Sequence, residues 1–120
     1  MNTQVGSIIR SMSIGAIANT LRKARGLSLS DIEQLTGINK GALSKFERNI
    51  EGLGQEKLDK LCITFNTTPS VLYAVSRVAQ NKPEMLQDSD TLYRTVSRLT
   101  QLIDNYLHAS DDVGVGDVLP

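Results

Sequence analysis

The stretch SLSDIEQLTGINKGALSKFER, residues 28–48, decides how the chain is read. Ser28 or Ser30 supplies an N-cap, a side-chain oxygen that accepts from a backbone N–H the helix itself leaves unpaired. Asp31 and Glu33 then fall in the first turn, where negative charge suits the positive end of the helix dipole. Ile32 and Leu35 are assigned inward, and Gly37 ends the helix after about two turns. Ile38 follows, then Asn39 as a second N-cap, then Lys40 to Arg48 with Leu43 and Phe46 as a buried pair. The pattern predicts two short helices joined by a tight glycine turn.

Upstream, Ile14, Ile17, Ala18 and Leu21 repeat at helical spacing, Arg22, Lys23 and Arg25 load positive charge toward the C-terminal end, and Gly26 stops the helix. Earlier still, Val5, Ile8, Ile9 and Met12 form a shorter stripe, so residues 1–13 read as an arm or an extra helix. Downstream, a loop from Asn49 to Gly54 leads to a helix from Gln55 to Phe65 with Leu58, Leu61, Cys62 and Phe65 on one face. Thr68 caps a further helix that has Pro69 at its first position and carries Val71, Leu72 and Val75. Five helices over residues 14–76 predict an all-α domain. Residues 77–89, with Asn81, Pro83 and Asp88, read as a polar linker before a helix over 90–109; residues 110–120 read as a disordered tail.

A chain of 120 residues has room for one domain and an appendage. Its 40% apolar and 22% charged content lies in the range of chains that fold. The lone Cys62 excludes an internal disulfide framework, and with no run of 18 apolar residues the expectation is a cytoplasmic protein rather than a secreted or membrane one. Net charge is zero, but it is unevenly spread: residues 1–50 hold seven basic and three acidic side chains, residues 51–120 six and ten. The positive half suits a polyanion, the negative half a solvated or partner-facing role.

Ile14-Gly15, Leu21-Arg22, Arg25-Gly26-Leu27-Ser28, Ile32, Thr36-Gly37-Ile38, Leu43-Ser44-Lys45-Phe46-Glu47-Arg48, Leu58, Leu61 and Leu72 resemble the Cro/lambda-repressor-like, or XRE, helix-turn-helix family in register over residues 14–75. The resemblance implies a five-helix lambda-repressor-like DNA-binding domain whose recognition helix, Lys40 to Glu47, enters the major groove of double-stranded DNA. It places Lys40, Gly41, Ser44 and Lys45 on base edges: lysine donates to guanine, serine serves several bases, and Gly41 with Ala42 permits close approach to a thymine methyl. Asn39 and Arg48, at the helix ends, are assigned to phosphates. Glu47 would be repelled by phosphate and is read as an ion-pair partner for an arginine of the first helix. Two positions depart from the family pattern: Leu29 stands where a phosphate-binding glutamine is usual, and Glu33 where alanine fills the helix crossing.

In the C-terminal amphipathic helix, Leu92, Val96, Leu99, Ile103 and Tyr106 follow the alternating spacing of a coiled-coil seam, widened by Leu102 and Leu107. Such a stripe needs a cover, either a second copy of the chain in a homodimer or the chain's own domain. Neither a catalytic constellation, a metal-ligand motif nor a phosphate loop is recognisable, so no enzyme activity, metal or cofactor is expected. The sequence therefore points to a regulator, a repressor acting on a palindromic operator. The alternative is an antitoxin-type module that binds a toxin or antirepressor protein through its last helix and regulates its own operon.

Overall fold

Six α-helices and no strand occur among the described residues, which in this computed structural model are 13–82, 84 and 88–113, with side chains to residue 108. They are α1 (Ile14–Ala24), α2 (Leu29–Thr36), α3 (Lys40–Glu47), α4 (Gln55–Thr64), α5 (Pro69–Asn81) and α6 (Ser89–Val113). The expected arm over residues 1–12 and the end of the expected tail, residues 114–120, lie outside the described residues.

Local chemistry sets most of the helix ends. Ser13 caps α1 by accepting from the Ala16 N–H at 3.1 Å. Ser28 and Asp31 form a reciprocal capping box on α2, the Ser28 hydroxyl accepting from Asp31 N and the Asp31 carboxylate from Ser28 N. Those bonds hold the Asp31 carboxyl below its ordinary range. Gly37 closes α2 in the left-handed conformation, φ 77°, which costs glycine nothing and other residues strain. Thr68 caps α5, with Pro69 at its start.

The core is built around α1, which packs against α3, α5 and α6, while α2 packs against α3 and α4. Ile17, Leu21, Ile32, Ile38, Leu43, Leu72 and Leu92 are the largest side chains fully removed from water. Cys62 belongs to this core; burial, with Asp59 adding, pushes its thiol up to about 12, so at neutral pH it is an inert apolar filler.

Three expectations are corrected here. Leu35 is 63% exposed, because Leu29, Ile32 and Thr36 take the inward face of α2. The segment after residue 76 begins as helix rather than linker: α5 continues to Asn81 and buries Ala79 completely. The last helix starts at Ser89 and runs on to Val113, so residues 110–113 are helical in backbone instead of tail.

Two contacts fix α3 against α1. Gly15 is buried where the two helices meet; a methyl group built on it would overlap the Phe46 carbonyl oxygen and lie 2.9 Å from the carbonyl carbon. Beside it, Arg22 donates twice to Glu47, from Nε to Oε2 at 2.8 Å and from Nη2 to Oε1 at 2.9 Å. Asn19 Nδ2 donates to the same Oε1 at 2.8 Å, and Arg22 Nη1 donates to the Leu27 carbonyl at 2.8 Å. The expected partnership of Glu47 with a first-helix arginine is therefore present. The side chains of Arg22 and Glu47 are only 11% and 8% exposed, so this planar two-point pair is shielded from water; its hydrogen bonds hold the Arg22 guanidinium above its ordinary value.

Both contacts can be tested by thermal or urea unfolding of the full chain. Gly15→Ala forces α1 and α3 apart at a backbone contact with no flexible atom to yield, and should cost about 2 to 3 kcal/mol or more. Glu47→Ala leaves Arg22 charged and shielded without its partner, and should cost about 2 to 3 kcal/mol, somewhat below the range for a fully buried pair. A loss below about 0.5 kcal/mol, the usual size for an ordinary surface site, would show that the contact does not hold α3 in place.

Candidate nucleic-acid interface

Helix α3 turns Leu43 and Phe46 into the core, with relative exposures of 1% and 4%. Its other face is outward: Lys40, Gly41, Lys45 and Arg48 are exposed and Ser44 is half-buried. These positions fall within one side of the helix, since residues three and four apart share a face. The four residues assigned to bases are thus brought together on one outward surface, with Asn39 and Arg48 at its two ends.

Asn39 starts this helix, its Oδ1 accepting from Gly41 N at 2.7 Å and from Ala42 N at 3.4 Å. Its oxygen is therefore committed to the cap, and any phosphate contact falls to the amide nitrogen. Gly41 presents bare backbone, and a methyl there would crowd the capping oxygen at 2.9 Å. Ala42, read from sequence as helping the approach to a thymine methyl, is instead half-buried against the core, which leaves that approach to Gly41. At the far end, Arg48 Nε donates to the Ser44 carbonyl at 3.3 Å, laying the guanidinium along the outer face. Lys45 lies 3.6 Å from Glu51, but both side chains are at least half exposed, so the pair is weak and phosphate can displace it.

The two family departures resolve differently. Glu33 accepts from the Lys40 backbone N–H at 3.2 Å, placing its carboxylate at the positive end of α3 and helping to tie α2 to α3. This second cap is invisible to spacing arguments, because residues 33 and 40 meet only through the tertiary crossing. Leu29 packs half-buried against the core, so a phosphate anchor is exchanged for apolar contact.

Lys57 and Lys60 were not singled out by the sequence reading. With Gly54, Gln55 and Glu56 they line a shallow cleft against Thr36, Gly37 and Ile38, at the turn between α2 and α3, and Lys60 lies 3.6 Å from Glu56. Gly54 offers α4 no side-chain cap, so that helix start keeps backbone donors directed outward. The available signal was the clean apolar stripe of α4, which leaves both lysines on its polar side.

The last helix departs most from expectation. Leu92 and Val96, assigned to a dimer seam, are 0% and 2% exposed, inside the chain's own core where α6 packs on α1 and α5. Leu99 is half-buried against the same core. Beyond it the stripe emerges: Leu102, Ile103, Tyr106 and Leu107 are 66%, 43%, 74% and 55% exposed. Covering by the chain's own domain describes the first half of the helix, not the second. Among the described residues no group of His, Cys, Asp or Glu is arranged to hold a metal ion, and no helix is long and apolar enough to cross a membrane.

Comparison with family models matches residues 20–72 to the helix-turn-helix family. No curated protein and no solved structure matches the chain. The matched residues run from within α1, through the α2–turn–α3 unit whose outward face is described above, to α5. Capped short helices, the left-handed glycine at the turn and the exposed basic face of the second helix agree with that match: residues 20–72 form a helix-turn-helix domain similar to those of Cro/lambda-repressor-like DNA-binding transcriptional regulators.

Proposed function

We propose that the protein is a repressor that binds, as a homodimer, a palindromic operator overlapping or adjoining a promoter, and so acts in the cytoplasm. The observation that carries this reading is the division of α3 into a buried pair, Leu43 and Phe46, and an outward set, Lys40, Gly41, Ser44 and Lys45. A helix held this way can enter the major groove, where each base pair presents a distinct pattern of donors and acceptors. Lys40 and Lys45 are donors suited to guanine N7 and O6, Ser44 serves as donor or acceptor, and Gly41 lets the backbone approach closely.

Arg48 and the Asn39 amide, at the helix ends, suit phosphates, and Lys57 adds positive charge past the turn, where Lys60 makes an exposed pair with Glu56 that phosphate can displace. These contacts would supply most of the affinity and make it fall as salt rises, because each neutralised phosphate releases counterions. Occupying promoter DNA needs no catalytic group. Two-fold symmetry suits the geometry, since half-sites about 34 Å apart place two recognition helices on one side of the duplex.

Selection of bound sites from random duplex DNA tests the proposal, with a palindromic motif as the expected result. On the selected duplex, Lys45→Ala should relax preference at one base position at a cost of about 1 to 3 kcal/mol, whereas Arg48→Ala should weaken all sequences alike and lower the salt slope by about one. Enrichment of no motif, or a motif indifferent to both substitutions, would remove the assignment of α3 to base reading.

A further inference from the structure

We propose that the distal half of α6 is where a second copy docks, the two helices crossing antiparallel near Leu102. This rests on the homodimer reading above and adds the surface and its orientation.

The surface is built in two parts. Leu102 and Tyr106 stand as a ridge on the outer side of α6, 66% and 74% exposed, one helical turn apart. Behind them Ile103 and Leu107 line a groove with Ile63, Thr67, Val71 and Thr100, where α6 passes the turn between α4 and α5. Ile63 is itself 74% exposed. Thr100 donates to the Val96 carbonyl at 2.7 Å, so its single hydroxyl proton is used and Thr67 donates to Thr100 at 2.8 Å. That bond ties α6 to the residues just before α5, beside the groove. A ridge and a groove on one helix are self-complementary under a two-fold axis, as an isologous contact requires.

Charge selects a second copy and sets its direction. Residues 89–100 carry Arg94 and Arg98 against one acidic residue, Asp90, while residues 101–113 carry three aspartates and neither lysine nor arginine. Antiparallel helices set the basic half of each against the acidic half of the other; parallel helices set like charge beside like.

Sedimentation equilibrium of the full chain should show a dimer. Leu102→Glu with Tyr106→Glu should raise its dissociation constant about 100-fold or more. Helix content by circular dichroism should be retained, because both side chains lie outside the monomer core. Should that double variant lose its fold, Tyr106→Glu alone is measured, with a loss of about tenfold expected. Spin labels on Ser89→Cys should lie about 40 Å apart in the dimer, since Ser89 begins α6 about 20 Å from the crossing in each copy.

A dimer that survives the substitutions, or labels within about 20 Å as parallel helices would place them, overturns the proposed docking or its direction. A wild-type chain that stays monomeric, alone or with an unrelated small protein on this surface, overturns the second copy as occupant. Failure to select any DNA sequence while the chain dimerises as described would instead overturn the regulatory reading and leave this surface standing.

Discussion

The charged clamp of Arg22 on Glu47, set beside the close approach of Gly15 to the Phe46 carbonyl, is the constraint on which the rest of the molecule depends. An eight-residue helix such as α3 has too few hydrogen bonds to persist alone in water. Its inner face offers only Leu43 and Phe46 in full to the core. Two apolar side chains hold a helix down but leave it free to roll, and a roll would turn Lys40, Ser44 and Lys45 away from an approaching duplex. Glu47 at the last turn and Glu33 at the first tie the two ends of α3, to α1 and α2 respectively. Orientation of the outward face of α3 is thus set by polar contacts at both ends, with apolar burial supplying the adhesion.

That arrangement also explains the unusual charge at the interface. Glu33 and Glu47 lie next to the surface proposed to meet a polyanion, where free carboxylates would be repelled. Both are spoken for: Glu33 accepts from the start of α3, and Glu47 is shielded from water by Arg22 and Asn19. Negative charge is spent inward on positioning, and positive charge on Lys40, Lys45 and Arg48 is left facing out. Glu51, the acidic group near Lys45 on the outer face, is exposed and therefore weakly held.

Much of the fold was legible in the chain because local rules carried it. Serine, threonine, asparagine and glycine at helix ends act within a few residues of themselves, so Gly37, Asn39 and Thr68 identified their own roles, the cap of α2 was narrowed to Ser28 or Ser30, and the inward pair on α3 followed from its spacing. What escaped depends on tertiary neighbours. Leu35 has helical spacing to Ile32, yet Leu29 and Thr36 win the inward face. Leu92 and Val96 fit a coiled-coil seam and a core stripe equally well, since both repeat at three and four residues; only packing on α1 separates the two. Glu33 reaches Lys40 across a helix crossing that no spacing rule encodes. Of the interface, the face of α3 was readable through family register, while Lys57 and Lys60 acquire their position only when α4 folds beside the glycine turn.

The central claim is that Lys40, Gly41, Ser44 and Lys45 are held outward for base edges by contacts at the two ends of their helix. Nuclear magnetic resonance of the chain on its selected duplex tests it directly, through contacts between α3 side chains and base protons in the major groove. The account predicts such contacts from Lys40, Gly41, Ser44 and Lys45, with the bonds of Glu47 to Arg22 unchanged between free and bound protein. Contacts to DNA concentrated elsewhere, or a Glu47 that leaves Arg22 on binding, would contradict it.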